Sequence, residues 1–236
     1  YHYAVTALDE AANSSEPVEV AVLVPAEPTT TGPAHPAPSD TTDTTTGTAA
    51  EDETADFITV VLGSTEDVWS QIFAAAGQSY REPTLVLFTD MVQSACGMNT
   101  AATGPFYCPG DEKLYLDLSF FEEMERKMNA PGELARAYVV AHEVGHHIQK
   151  LMGITDQMNR LRGQLSQTEY NKYSVRLELQ ADFLAGVWAH YSDEMFGMLE
   201  PGDLQDALNA ANAIGDDRLQ RESMGRVIPD SFTHGP

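Results

Sequence analysis

Residues 133–152 read ELARAYVVAHEVGHHIQKLM, and the spacing of their apolar positions decides how the chain around them is to be read. Leu134, Tyr138, Ala141, Gly145, Ile148 and Met152 recur at intervals of three and four, the period of one helix face. Asn129, Pro131 and Glu133 supply start signals, since the fixed φ of proline suits a first turn and an acid there meets the positive end of the helix dipole. Gly153 supplies the stop. The stretch predicts a helix with one face in the core.

Within it stands His142-Glu143-Val144-Gly145-His146, a His-Glu-x-x-His (HEXXH) pattern. Residues four apart share a helix face, so both imidazoles can grip one ion while Glu143 reaches a water beside it. A metal there acidifies the water, and a carboxylate that takes its proton makes a nucleophile for a peptide carbonyl. The bland reading is a surface helix with clustered histidines. It must explain imidazoles in an otherwise apolar segment, where an unpaired polar group costs desolvation energy. Gly145 is small enough to let the helix approach a neighbour closely. His147 lies about 100° around the helix from His146 and is read as a supporting or solvent-facing residue.

A catalytic zinc site needs a third protein ligand. A second helix, expected over residues 175–191 with Leu177, Ala181, Leu184, Ala185 and Trp188 inward, offers Glu178 and, one turn on, Asp182. Carboxylates on an apolar helix are expensive unless paired or metal-bound. Glu178 is therefore expected to be the ligand, with Asp182 bonding a ligand imidazole. The competing reading pairs these acids with Arg160, Arg162 or Arg176. Two imidazoles and a carboxylate suit Zn2+ best among divalent ions.

Working outward, Phe57–Leu62 reads as a short strand, and Ser64 with Asp67 as the start of a helix through Val68, Ile72 and Phe73. Thr84–Phe88 reads as a second strand. Lys113–Leu118 alternates Leu114, Leu116 and Leu118 against Tyr115 and Asp117, the pattern of a half-buried strand. Residues 155–174 are more polar and partly helical, and a last helix runs from Asp203 to Ile214. Residues 1–55, rich in Thr, Pro, Ala and acids, bury too little apolar surface to offset their ordering entropy and read as a disordered tail whose Thr/Pro mixture suits O-glycosylation. The organisation is one α+β domain over residues 56–236, mostly helical with a small β-sheet, behind that tail.

The formal charge of the 236 residues is −23, and the first Lys or Arg is Arg81, so much of the acidity precedes the domain. Such a chain is repelled by phosphate backbones and anionic lipid, which argues against nucleic acid as a partner. No stretch approaches the roughly 20 apolar residues of a spanning helix. The chain begins with Tyr and has no basic leader, so a signal or anchor is expected to be missing from it. Cys96 and Cys108 flank a Gly/Asn/Thr-rich loop of the kind a disulfide staples, which would mean an oxidising compartment. Two free thiols, or a pair of metal ligands, are the alternatives.

Several segments together resemble the bacterial neutral zinc metallopeptidases of the YpfJ type: Gly104–Pro109 running into Tyr115–Phe121, Ala141–Gln149, Val175–Asp182 with Ala185–His190, and Ile214–Gln220. The likeness covers roughly residues 57–235 and extends to Pro229–Gly235, after which the family usually continues. It implies a zincin-like fold, with an edge strand beside the active-site helix that aligns an extended substrate, Lys113–Leu118 being the candidate. Family members often carry a Cys after the Asp, where this chain has Phe183 and Leu184, so the resemblance makes a Cys96–Cys108 pair simpler. His234 has two readings, a helper that steadies the oxyanion and a solvent-exposed tail residue.

The expected function is an extracytoplasmic, secreted or cell-surface zinc endopeptidase acting on protein or peptide substrates, with Glu143 as general base, His142, His146 and Glu178 as ligands and Asp182 behind them. Hydrolysis of another amide, such as a cell-wall peptide crosslink, uses the same machinery. The alternative is a non-catalytic zinc-containing binding protein at the cell surface.

Overall fold

The computed structural model describes residues 49–89, 91–100, 104–121, 124 and 132–214. Helix α1 (Ala49–Ala75) is followed by strands β1 (Thr84–Phe88), β2 (Met91–Ser94), β3 (Gly97–Thr100), β4 (Phe106–Cys108) and β5 (Lys113–Asp117). Helices α2 (Glu133–Leu151), α3 (Ile154–Arg162), α4 (Gln167–Phe196) and α5 (Asp203–Ile214) follow. The molecule is α+β and mostly helical, as expected. Among the described residues no helix is long and apolar enough to cross a membrane.

The chain divides into two units, one holding Trp69–Tyr80 with residues 1–43, the other Thr44–Val68 and Arg81–Pro236. In the described part of the first, the rings of Phe73 and Tyr80 meet with centroids 5.4 Å apart. Every residue of the candidate site belongs to the second.

Phe57–Leu62 is not a strand. It lies inside α1, where Ile58, Val61, Leu62, Thr65 and Val68 are buried. That spacing is helical, and a buried helical face outweighs the strand preference of the β-branched residues Ile58, Thr59, Val60 and Val61. Ser64 is correspondingly no helix cap: its hydroxyl donates to the Val61 carbonyl (2.6 Å) and accepts from the Trp188 indole N–H (3.1 Å), joining α1 to α4. The tail expected over residues 1–55 falls outside the described residues up to 48, and Ala49–Ala55 belongs to α1.

Strand β5 is the middle of a three-stranded sheet, parallel to β1 and antiparallel to β4. It therefore offers no edge to a substrate, and β1 and β4 are the outer strands. Nor is it half-buried: Tyr115 and Asp117 on its second face are as enclosed as Leu114 and Leu116. The Asp117 carboxylate accepts from the Ser119 N–H (2.9 Å) and hydroxyl (2.8 Å), Tyr115 stacks on Phe106 with centroids 4.8 Å apart, and the Tyr115 hydroxyl donates to Asp111 (2.7 Å). Strands β2 and β3 form a separate antiparallel hairpin. The Cys96–Cys108 disulfide ties this hairpin to β4, which removes the free-thiol and metal-ligand readings of both cysteines.

Helix α2 ends where the pattern predicted, with Gly153 in the left-handed region (φ 75°). Its burial exceeds the expectation of one core face. From Leu134 to Gln149 only Arg136, Tyr138 and His146 are more than slightly exposed, because α3, α4, α5 and β4 all pack against it. Helix α4 begins eight residues before the expected start. Ser166 accepts from the Glu169 N–H while the Glu169 carboxylate returns a bond to the Ser166 N–H, a reciprocal cap that satisfies two orphan donors of the first turn.

Candidate metal centre

The site lies where α2 crosses α4. A Cβ placed on Gly145 would stand 3.0 Å from the Ala181 carbonyl oxygen and 3.1 Å from its Cα. The missing side chain thus sets how closely the two helices approach. Gly145 adjoins His146, and Ala181 lies between Glu178 and Asp182, so this contact carries all four polar side chains into one place.

The imidazoles of His142 and His146 meet edge to face, with centroids 4.9 Å apart and planes 84° to one another. Glu178 Oε2 lies 3.4 Å from His142 Nε2 and 3.5 Å from His146 Nε2. The three ligand atoms all fall within 4.8 Å of one another. Separations of 3.4 and 3.5 Å are long for direct hydrogen bonds, which prefer about 2.7–3.2 Å. A tetrahedron with bonds of about 2.0–2.1 Å has edges of about 3.3–3.4 Å, so the two separations from Glu178 suit donors that share one zinc-sized ion.

The surroundings favour positive charge there. Burial alone would push the His142 imidazole down. Asp182, accepting from its Nδ1–H at 2.8 Å, and the nearby Glu178 and Glu143 carboxylates outweigh that and hold it up to about 10. Asp182 also accepts from the Tyr138 hydroxyl at 2.5 Å, and burial, with the Asp182 charge behind it, keeps that phenol protonated. With Nδ1 donating to a carboxylate, Nε2, toward Glu178, is the ring nitrogen that must give up its proton to hold an ion. Glu143 is itself buried on α2.

Sequence reading thus named His142, His146, Glu178 and Asp182, and the fold brings them together. Two arginines of the competing reading are engaged elsewhere, Arg162 over the Tyr170 ring at 4.9 Å and Arg176 over Tyr173 at 5.4 Å. His147 does not face solvent. It is fully buried, its Nε2–H donates to the Arg81 carbonyl (2.5 Å), and its Nδ1 accepts from the Tyr107 hydroxyl (3.0 Å). His234 lies outside the described residues.

The family described as "Putative neutral zinc metallopeptidase" matches this chain over residues 19–236. The chain belongs to that family. As a neutral zinc metallopeptidase relative it is 54% identical over 185 residues to the "Uncharacterized protein YpfJ" of Escherichia coli (strain K12), a match that covers 78% of this chain and 64% of that protein. It is 41% identical over 187 residues to the "Uncharacterized protein Rv2575" of Mycobacterium tuberculosis (strain ATCC 25618 / H37Rv), covering 75% and 61%. The chain therefore spans less than two thirds of the length of these curated relatives. No solved structure matches it significantly. The family match reaches back to residue 19, into the stretch read as a tail.

Two further residues of this metallopeptidase-family site escaped sequence reading. Tyr138, one turn before His142, shares Asp182 with it. Gln149, buried and three residues after His146, places its side-chain oxygen 2.9 Å from His146 Nδ1. An amide three positions after the second histidine of the pattern, on the same helix face, was the signal that could have found it.

Proposed function

We propose that this chain is a zinc-dependent peptidase with a zincin-like active site. The observation that carries the reading is the convergence of His142, His146 and Glu178 within 4.8 Å of one another, with Glu143 buried on the helix that carries both histidines. His142 and His146 would hold the ion through Nε2 and Glu178 through Oε2. Zinc held there supplies Lewis acidity that brings the pKa of a water toward neutrality. Glu143, between the two histidines, accepts the proton of the attacking water and delivers it to the departing amine. Asp182 keeps the His142 ring oriented, with Tyr138 holding Asp182 in turn.

The substrate is a peptide or protein. The compartment is extracytoplasmic, a reading supported by the Cys96–Cys108 disulfide, since such bonds persist where the surroundings are oxidising.

The test is zinc content by elemental analysis together with cleavage of a quenched mixed-sequence peptide library, with and without chelator, for wild type and Glu143→Gln. The expected result is near-stoichiometric zinc in both, and chelator-sensitive cleavage reduced roughly 10²–10⁴-fold in the variant. Undiminished hydrolysis by Glu143→Gln removes the general-base assignment. Bound zinc without cleavage in wild type replaces the peptidase reading with that of a zinc-containing binding protein.

A further inference from the structure

We infer that Gln149 is the positioning residue for His146, an inference that rests on the zinc reading of the site. Its amide holds that imidazole in the Nδ1–H form and ties it to the backbone that carries Glu178.

The argument begins with burial. Gln149 is fully enclosed, so both ends of its amide need partners. Its Nε2 lies 2.6 Å from the Leu177 carbonyl oxygen and 3.2 Å from Gln180 Oε1. A backbone carbonyl can only accept, so the NH2 end of Gln149 must face Leu177; the flipped amide would set oxygen against oxygen. That leaves Oε1, which can only accept, 2.9 Å from His146 Nδ1. The hydrogen in that contact must come from the ring. His146 is therefore protonated on Nδ1 and keeps its lone pair on Nε2, the nitrogen 3.5 Å from Glu178 Oε2.

The polarity of one backbone carbonyl thus passes through one amide and selects the ring nitrogen left free to ligate. The same tautomer is selected at His142, there by the Asp182 carboxylate. The two imidazoles are oriented by unlike groups, one anion and one neutral amide. Leu177 directly precedes Glu178, so Gln149 also links a ligand on α2 to the turn of α4 that supplies the third ligand. A glutamate in its place would still accept from His146, but would face Leu177 and Gln180 with oxygen alone.

The experiment uses the whole chain and two readouts: zinc affinity by competition with a fluorescent chelator, and the ring tautomer of His146 from two-bond ¹H–¹⁵N correlations. Gln149→Leu is expected to weaken zinc about 10–100-fold and to turn the single Nδ1–H pattern of His146 into a mixture. Gln149→Glu is expected to weaken zinc while keeping the Nδ1–H pattern, and it carries the test if the leucine variant does not fold. Wild type that binds no zinc overturns the reading of the site and this inference with it. Wild type that binds zinc, beside a Gln149→Leu (or, failing that, Gln149→Glu) that binds within about twofold of it with the His146 tautomer unchanged, overturns the inference alone.

Discussion

His146 and His147 are neighbours on one helix with opposite surroundings. On the face of α2 toward α4, each of two imidazoles spends one nitrogen on a fixed protein partner and aims the other at Glu178. On the face toward the sheet, His147 spends both, on Tyr107 and on Arg81. A histidine with one nitrogen committed is oriented and still able to bind. One with both committed is a structural crosslink. The distinction follows from the partners that other elements bring, since the residue type is the same.

The strongest way to break this comparison is to remove the ligand on the facing helix. Glu178→Ala should lose zinc, with affinity falling at least about 100-fold, since even partners behind ligands are worth 10–100-fold. Elemental analysis after dialysis reads this directly, and full retention of zinc would remove Glu178 from the ligand set.

His147→Leu should do the reverse. Zinc stoichiometry should stay at the wild-type level, while stability falls by about 1–3 kcal/mol as the Tyr107 hydroxyl and the Arg81 carbonyl lose their partner. Chemical denaturation of both chains checks this, and a loss of zinc with unchanged stability would place His147 in the metal site.

The smallest effect is a pH dependence that sharpens the contrast. Burial pushes the His147 imidazole below its ordinary value of 6.5, so the folded chain resists a proton that the unfolded chain accepts. The stability contributed by neutral His147 is complete above about 6.5 and is lost as pH falls from there toward the lower folded value. Between pH 7.5 and 5.5, wild type should therefore lose more stability than His147→Leu, by at most about 1–2 kcal/mol. Equal losses in the two chains would mean that His147 titrates as it does unfolded.

Several elements were legible from sequence. Thr84–Phe88, the end of α2 and Asp203–Ile214 fall where their patterns put them, because helical and strand periods and glycine stops are local properties. Two of the errors share one cause. Phe57–Leu62 has strand-forming residues, yet Ile58, Val61 and Leu62 are buried as a helix face and Arg136 lies over the Phe57 ring at 4.6 Å. Lys113–Asp117 alternates like a half-buried strand, but a parallel neighbour and an antiparallel one take its two edges and both its faces are buried. In both, partners distant in sequence overruled a local preference.

Sequence alone determined which side chains can converge, because two histidines four apart on a helix share a face whatever surrounds them, and because a carboxylate on an apolar helix needs a partner. Tertiary structure decided how those groups are used. His142 meets Asp182 across 40 residues, and Gln149 meets Leu177 across 28. Which ring nitrogen stays free depends on whether the group brought against the other one can donate or only accept. No local pattern records that, since it is set where Gly145 lets two helices close on each other.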